Sequence, residues 1–315
     1  MKLLKITTIV FIMAIVAANS LFAQTDIDAI MMEKNALCIG PMYSYGSWKN
    51  YWEGTRKRDN ENLGTVSTQM FSVMGNYGIS QKLNVLFNVP YVKTKASAGQ
   101  LRGQNGFQDA SLMVKYRPIN QKMGYGRLAV MGIGGVSAPI SNYNADMLPL
   151  SIGVRSRIAM ARVMVDYYYN NKWFVTASGT YAYRGNIKID RNSYYTDELI
   201  LSNEVFMPNV TMFNIRAGWR TRLLIAEAVF NNMNTQGGFD ITRNNMPFPS
   251  NRMNATSIGA NFKYVFKKMD HLSLTGGAHQ VIAGRNMGQS LNMNFGVFYV
   301  IDTGKKEKKE TKAQQ

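Results

Sequence analysis

The residues of this chain that could carry nucleophilic, redox or metal-binding chemistry are few. The sequence holds one cysteine, Cys38, and two histidines, His271 and His279. A single cysteine excludes an intramolecular disulfide and a cysteine cluster, and two histidines leave little material for a zinc site or a catalytic base. We therefore predict no catalytic residue, no cofactor and no metal site, and we expect that the protein is not an enzyme.

One hydrolase hypothesis arises from His279, which shares a segment with Ser273 and Thr275. A nucleophile needs its base within hydrogen-bond reach and a third group that orients the base. In an extended strand, His279 and Thr275 lie about 13 Å apart, since each residue advances about 3.3 Å. The pair would have to form across strands, and the sequence names no partner. We interpret this histidine as a structural strand residue.

Two short glycine motifs lack the structural context that their chemistry requires. Residues 124–129, GYGRLA, have the letters of a dinucleotide fingerprint, but that motif follows a strand and opens a helix. Here it follows a polar turn and opens a β-patterned run. Residues 135–139, GVSAP, miss the nucleophile-elbow pattern at the last position. Neither motif indicates an enzyme.

Charged residues at alternate positions form the remaining candidate group. Asp109, Lys115 and Arg117 are separated by even numbers of residues, so that in a strand all three point to one face. They would either pair with one another, with Asp109 bound to a cation, or contact a solute at a constriction. Glu227, with Arg216 or Arg220 on the adjacent strand, allows the same two interpretations, and both stay open.

The elements that position these residues are predicted strands. Val, Ile, Phe, Tyr, Met and Thr recur roughly every second residue, which is the period of a strand with two different faces. We predict strands near residues 36–47, 65–79, 82–95, 107–118, 126–138, 151–169, 172–185, 209–220, 222–233, 255–268, 271–284 and 290–301. In the sixth segment the alternation changes phase between Ile158 and Tyr167, which predicts a β-bulge.

The connections between these strands alternate in length. They are short after the even-numbered strands up to the tenth, and mostly long and polar after the odd-numbered ones, as in residues 48–64, 186–208 and 234–254. Bacterial outer-membrane barrels have short periplasmic turns and long outer loops. The predicted fold class is therefore all-β, a transmembrane up-and-down antiparallel β-barrel of about twelve strands.

The two faces of the strands differ in polarity. In the tenth strand, Phe262, Tyr264 and Phe266 oppose Lys263 and Lys267. A charge at mid-depth on the lipid face costs about 2–4 kcal/mol, so the charged residues should face the lumen. The candidate lumen-lining residues are Asp109, Lys115, Arg117, Arg216, Arg220, Glu227 and Lys263. Tyrosine and tryptophan residues near strand ends suit the interfacial girdles of a barrel.

The N-terminus has the three parts of a secretory signal. Lys2 and Lys5 precede an apolar run over residues 6–18, and a cleavage site follows at Ala23. We predict a signal peptide over residues 1–23, a barrel over 24–303 and a disordered basic tail over 304–315. A signal peptide followed by a barrel predicts export to the outer membrane of a Gram-negative cell envelope. We expect outer-membrane lipid and the barrel-assembly machinery as partners.

The net charge is strongly positive. It is +17 for the whole chain, and +15 without residues 1–23, which contain two lysines and no acids. Such a charge in an exported protein is explained by a basic lumen or by attraction to anionic headgroups. We expect no nucleic-acid partner.

Three stretches resemble one known family. Residues 77–91, YGISQKLNVLFNVPY, are similar to a hairpin of the outer-membrane transporter family named after the meta-pathway of phenol degradation. Residues 105–117, with Asp109 and the run Lys-Tyr-Arg, and the glycine-rich residues 128–139 are similar to the strands that follow there. The specific resemblance covers residues 75–140. It implies an outer-membrane barrel with a role in the uptake of hydrophobic small molecules.

The leading hypothesis for function is a passive channel or transporter, porin-like, for small solutes, hydrophobic or aromatic ones among them. Charged side chains would narrow the lumen, and a basic lumen would favour anions or aromatics with an acidic group. The alternative is a structural or surface-interaction barrel without an open pore, whose loops 186–208 and 234–254 bind partners. Residues 243–254 could then fold inward as a plug. A secreted soluble β-sandwich is a third hypothesis.

Overall fold

The computed structural model of the chain describes residues 26–196, 198–242 and 245–304. Within these residues, no helix is long and apolar enough to cross a membrane. The predicted signal peptide, nearly all of the predicted tail and residue Asn244 lie outside the described residues.

The described chain forms a closed antiparallel barrel of twelve strands. The barrel strands, numbered in chain order, are β1 Ala36–Trp48, β2 Val66–Ser80, β3 Leu83–Ala96, β4 Asp109–Met123, β5 Gly126–Pro139, β6 Ile158–Tyr169, β7 Trp173–Arg184, β8 Asn209–Arg220, β9 Leu224–Gln236, β10 Asn254–Phe266, β11 Met269–Arg285 and β12 Leu291–Asp302. Each strand pairs with its chain neighbours, and β1 pairs with both β2 and β12. The predicted fold class and strand number are confirmed.

The period-2 pattern of the sequence becomes the two faces of the barrel wall. On β10, Phe262 and Tyr264 are exposed on the outer face, whereas the alternate residues Lys263 and Val265 are buried inside. The same alternation places Phe213 and other large apolar side chains outside on the other strands. Lys267 does not face the lumen as predicted, because β10 ends at Phe266 and Lys267 lies exposed in the following turn.

Strand β6 differs from the prediction in two ways. It begins at Ile158 rather than near residue 151, because Ile152 leaves the wall and packs against Tyr143 and Val92. The predicted bulge in β6 is wrong, since its register with β5 and β7 is uninterrupted. The apparent change of phase arises because Met160 and Met164 face inward, where the pattern expects polar residues.

Three of the long connections fold into a compact layer over one end of the barrel, here called the loop cap, formed by the described residues 140–157, 185–196, 198–208, 237–242 and 245–253. Its apolar centre consists of Ala145, Ile187, Ile189, Tyr194, Val205, Met207 and Phe248. The rings of Tyr194 and Phe248 stack with centroids 5.2 Å apart. Phe248 belongs to the stretch that the sequence offered as an inward plug, and it packs within this cap. Trp52, one of the tryptophans near strand ends that suited an interfacial girdle, is buried at this end of the barrel and therefore does not contribute to a girdle.

The loop cap is attached to β11 through Asp240. The guanidinium of Arg285 donates two hydrogen bonds to this carboxylate, from Nε at 2.8 Å and from Nη2 at 2.6 Å. The side-chain amide of Asn286 donates a third, at 2.7 Å. The hydrogen bonds from Arg285 hold the pKa of Asp240 below its ordinary value.

This attachment should weaken in acid. A carboxyl whose pKa is lower in the folded protein stabilises the fold above its unfolded pKa, about 3.9, and that contribution is lost as the pH falls through the lower, folded pKa. We expect proteolysis or hydrogen exchange of residues 237–253 to accelerate at the acid end of this range. The Asp240→Asn variant should show fast exchange already at neutral pH and little further change with acid. A variant that keeps the wild-type pH dependence would contradict this assignment.

Candidate functional site

The interior of the barrel is occupied by a segment of the chain itself. Residues 26–33, which precede β1, run inside the barrel and are here called the lumen plug. Ala29 and Met32 are buried. Ala29 packs in a cluster with Met131 and Met164 of the wall, and Met32 packs in a second cluster at the base of β1 and β12. The inward methionines of β5 and β6 are therefore the surface on which the plug rests.

Two wall cations bind the plug. Nζ of Lys115 donates to the carbonyl oxygen of Asp28 at 2.9 Å and lies 3.4 Å from its carboxylate. Nη1 of Arg162 donates to the carbonyl oxygen of Asp26 at 3.0 Å and to its carboxylate at 2.9 Å. Each aspartate thus offers a backbone and a side-chain acceptor to one cation. Because ionised hydrogen bonds are the stronger ones, these two cations are the main polar attachment of the plug.

The plug leaves the lumen at the short-turn end, beside Gly78. The backbone nitrogen of Asn35 donates to the carbonyl oxygen of Gly78 at 2.7 Å. A Cβ atom on Gly78 would collide with the carbonyl oxygen of Glu33. This contact gives a physical reason for the glycine in the Tyr77-Gly78 pair, which opens the first stretch that resembles the transporter family.

A second polar group lies on β8 to β11. A guanidinium nitrogen of Arg216 donates to the carboxylate of Glu227, with both side chains almost fully buried. The amide of Asn261 donates to the same carboxylate at 2.8 Å, and Nε2 of His279 lies 2.8 Å from the amide oxygen of Asn261. His279 thus contacts an amide inside the barrel rather than a hydroxyl nucleophile.

A third group lies nearer the short turns. Arg220 binds Asp166 through two guanidinium nitrogens at 3.1 and 3.2 Å. Thr176 donates to the same carboxylate at 2.5 Å. The Arg220 guanidinium also stacks 3.9 Å above the ring of Phe174. Arg220 is therefore held by Asp166 of β6 rather than by Glu227.

The predicted lumen residues Asp109 and Arg117 lie at opposite ends of the barrel wall. Asp109 begins β4 beside the loop cap, where its carboxylate accepts a hydrogen bond from the hydroxyl of Tyr143 at 2.6 Å. Arg117 lies near the short turns and donates to the carbonyl oxygen of Gln81 at 3.0 Å. Asp109 and Lys115 are separated by about 20 Å along the strand, at about 3.3 Å per residue. The structure therefore does not bring these residues into one ring or into one ion-pair ladder.

Four partners in this network are missing from the sequence-based candidates: Asp26, Asp28, Arg162 and Asp166. Arg162 and Asp166 lie on the same inward face of β6 as Met160 and Met164. Because the sequence pattern predicted a bulge in this strand, it did not assign these two charged residues to the inward face. Asp26 and Asp28 follow the predicted cleavage site directly. The spacing of these two aspartates, two residues apart before the first strand, indicates a charged segment. It does not indicate that the segment lies in the lumen.

Two cavities flank the lumen plug. The central cavity, of about 250 Å³, lies between the plug and the inner faces of β8 to β12, β1 and β2. The lower cavity, of about 610 Å³, lies between the plug and the short-turn ends of β4, β5, β6 and β8. Both touch Ile30 and Arg220. The plug therefore separates a lumen that would otherwise be one space.

Comparison with known proteins gives both a family and a fold. Residues 65–297 match the family described as "Putative MetA-pathway of phenol degradation". The fold is similar to that of the COG4313 outer membrane channel from Pseudomonas putida F1, with a TM-score of 0.70, 12% identity, and coverage of 89% of this chain and 100% of that chain. No curated protein sequence matches the chain significantly.

More distant similarities are also found. The translocator domain of the autotransporter NalP from Neisseria meningitidis matches with a TM-score of 0.46, 10% identity, and coverage of 87% of this chain and 90% of that chain. The Pseudomonas putida toluene transporter TodX matches with a TM-score of 0.39, 10% identity, and coverage of 86% and 90%.

Proposed function

Because this chain belongs to the family described as "Putative MetA-pathway of phenol degradation", we propose that it is an outer-membrane channel for small solutes, apolar and aromatic ones among them. Membership agrees with the family resemblance of residues 75–140. The observation that carries the proposal is a closed barrel whose interior holds two cavities on either side of residues 26–33. In this function the solute crosses passively, and the lumen selects by radius and charge.

The structure supports a channel that is closed at rest. The lumen plug fills the middle of the barrel, and the loop cap covers the end opposite the short turns. Transport then requires the plug to move. Its attachment by Lys115 and Arg162 is a pair of exchangeable charged contacts rather than a continuous strand pairing, so the plug is the part of the lumen most easily displaced.

A transport assay tests this function. Purified protein is placed in vesicles, and the entry of a labelled neutral monoaromatic compound is compared with that of a disaccharide of larger cross-section. We expect entry of the aromatic compound above that in protein-free vesicles, and slow entry of the disaccharide. Equal entry of the aromatic compound with and without protein would contradict the proposal. Insertion is checked in the same vesicles by the heat-dependent mobility of the barrel in a gel.

The proposal includes a location and an orientation. Export by the predicted signal peptide, followed by insertion through the assembly machinery, would place the short turns in the periplasm and the loop cap outside. Cysteines at Leu201 in the loop cap and at Tyr125 in a short turn are both at highly exposed positions. In intact cells an impermeant thiol reagent should label the first and not the second. The native Cys38 is buried and gives a low background, and the opposite labelling pattern would reverse the orientation.

The alternative, a surface-interaction barrel, has one observation in its favour. Tyr195, Leu199, Leu201 and Phe206 are exposed together on residues 185–208 of the loop cap. Exposed apolar groups of this kind mark interaction sites when they form a patch. A lack of transport both in the wild type and in the variant without the lumen plug would favour this alternative over the channel. We infer no catalytic role in either case, since His279, the residue of the hydrolase hypothesis, contacts the amide of Asn261.

A further inference from the structure

The lower cavity opens toward the short turns and can be reached from solvent. Its lining includes Thr221 and Arg222 of the turn between β8 and β9. Arg222 keeps 58% of its side-chain surface exposed, and Arg127, near the start of β5, is exposed as well. The volume of about 610 Å³ lies within the usual range of small-molecule sites. A dissolved molecule can therefore enter this cavity and contact its wall directly.

The two sides of the lower cavity differ in character. The lumen plug contributes apolar side chains, with Ile30 and Met31 among them. The barrel wall contributes four arginines: Arg117, Arg127, Arg220 and Arg222. Arg220 is bound to Asp166, and Arg222 lies 3.8 Å from Asp270. The other two arginines, Arg117 and Arg127, form no ion pair within the part of the chain that the structure describes.

A β-bulge brings a third cation to the same face. The register between β4 and β5 shifts between Tyr116 and Ile119, so that β4 has one extra residue there. Such a bulge reverses which alternate residues of a strand face inward. Beyond it, Asn120 lines the cavity, and Lys122, two residues on, shares its face and lies directly opposite Arg127. Without the bulge, Lys122 would point to the outer face of the barrel.

The three cations of this wall oppose one another. Like charges directly opposite on paired strands are destabilising, and Lys122 and Arg127 are such a pair. The charge of Arg127 also opposes that of Arg117 more strongly than Asp166 supports it. Lys122, like the two arginines, has no ion pair among the described residues. The fold thus holds three cations at one cavity wall against their repulsion, and an anion between them would stabilise this arrangement.

The balance of charge indicates how many negative charges the anion carries. Of the two carboxylates that line the cavity, Asp166 is bound to Arg220, and Glu33 of the lumen plug makes no ion pair among the described residues. Glu33 alone, set against the three cations of the wall, leaves a surplus of two positive charges. A neutral solute would leave both of them, and a monoanion would leave one. Guanidinium and ammonium groups both bind the oxygens of carboxylates and phosphates.

We propose that the lower cavity binds a small dianionic molecule, a dicarboxylate or a phosphate monoester, with its oxygens on Lys122 and Arg127 and its apolar part against Ile30. Arg117 is held by the carbonyl oxygen of Gln81 at 3.0 Å, and it stabilises the anion through its charge. This inference rests on the proposed channel function and names a solute class that the closed channel holds at its short-turn end.

Calorimetric titration of the full-length barrel in an uncharged detergent tests the inference. The probes are phthalate, phenyl phosphate and benzoate, which has the same ring as phthalate and one carboxylate fewer. At low salt we expect one site that binds at least one of the two dianions about tenfold more tightly than benzoate. The tighter of the two identifies the oxyanion, and the preference over benzoate should shrink as salt screens the cations. Binding of both dianions no tighter than that of benzoate would overturn the inference.

Four variants locate the site. Arg127→Gln and Lys122→Gln should each weaken binding of the preferred dianion, by about fivefold to tenfold at low salt. Glu33→Gln removes the competing carboxylate and should strengthen it. Arg102→Gln is the matched control, since Arg102 is exposed in the loop after β3, at the other end of the barrel. Equal weakening by Arg127→Gln and Arg102→Gln would show attraction to the net charge alone and would overturn the site. Heat-dependent gel mobility verifies that each variant is folded.

The outcome is separable from that of the channel proposal. Vesicle transport of the neutral aromatic compound, measured with the same wild-type preparation, reports the channel alone. Transport without selective binding of a dianion would refute the anion site and leave the channel in place. Selective binding that depends on Arg127, without transport, would leave the site in place and remove the channel.

Discussion

Deleting residues 26–33 should turn a nearly closed barrel into an open pore. The lumen plug fills the space between the two cavities, and the conductance of a pore depends on its narrowest radius and on the charges that line it. We expect single-channel conductance in planar bilayers to rise by roughly an order of magnitude or more. Wild-type channels should instead show low conductance with brief openings.

The open pore should also prefer anions. Without Asp26 and Asp28, the cations Lys115, Arg162, Arg216, Arg220 and Lys263 of the inner wall outnumber the neighbouring carboxylates of Asp166 and Glu227. A salt gradient across the bilayer should therefore give a reversal potential of anion-selective sign, larger at low salt because ions screen the lumen charges. Cation selectivity after the deletion would contradict the assignment of these residues to the lumen.

A matched pair of variants separates the attachment of the plug from its mere presence. Asp26→Asn with Asp28→Asn keeps the length of the segment but removes both carboxylates that bind Lys115 and Arg162. This variant should open more often than wild type and less fully than the deletion. Glu33→Gln removes a charge from the exposed end of the same segment and should behave as wild type. Frequent opening of Glu33→Gln would show that any change in the segment loosens it.

Replacing Glu227 with leucine should destabilise the barrel severely. Glu227 and Arg216 form an ion pair in which both side chains are almost fully buried, and the substitution leaves the guanidinium without its carboxylate. Breaking a buried pair on one side costs about 3–5 kcal/mol. We expect a large fall in the denaturant concentration at which the barrel unfolds in lipid vesicles, followed by the loss of its compact, heat-sensitive gel band.

The double variant Arg216→Met with Glu227→Leu is the control for this prediction. It removes both charges and fills the space with apolar atoms, a change that is often neutral or stabilising. Recovery of most of the stability in the double variant would show that the cost of the single change comes from the stranded charge. If both variants are equally unstable, the packing around Glu227 is responsible instead.

The wall of the barrel is predictable from the sequence because its cause is local. Each strand contacts lipid on one face and the interior on the other, so alternation along the chain reports the structure directly. The bounds of β8, predicted as 209–220 and found as Asn209–Arg220, show how sharply this signal can end a strand. Where an interior surface is apolar, as at Met160 and Met164, the same rule gives a false bulge.

The contents of the barrel are not predictable in this way because their cause is long-range. Even spacing along a strand assigns Asp109, Lys115 and Arg117 to one face. It does not predict that Asp109 accepts a hydrogen bond from Tyr143 or that Lys115 pairs with Asp28. The partner of Lys115 lies 87 residues away in the sequence, in a segment with no strand pattern. Glu227 and Arg216 were a tractable case, since adjacent strands joined by a short turn place them as diagonal neighbours, with Gly218 directly opposite Glu227.

The distance in sequence between the lumen plug and its partners also orders the biogenesis of the protein. Arg162 and Asp26 are 136 residues apart, and the plug rests on surfaces from β5, β6 and β12 that exist together only after the wall has closed. We therefore expect docking of the plug to be a late event, and each newly inserted copy to pass through a water-filled, leaky stage. A bacterium that overproduces this protein should become briefly sensitive to hydrophilic antibiotics that its outer membrane normally excludes, in proportion to the rate of synthesis rather than to the number of mature barrels.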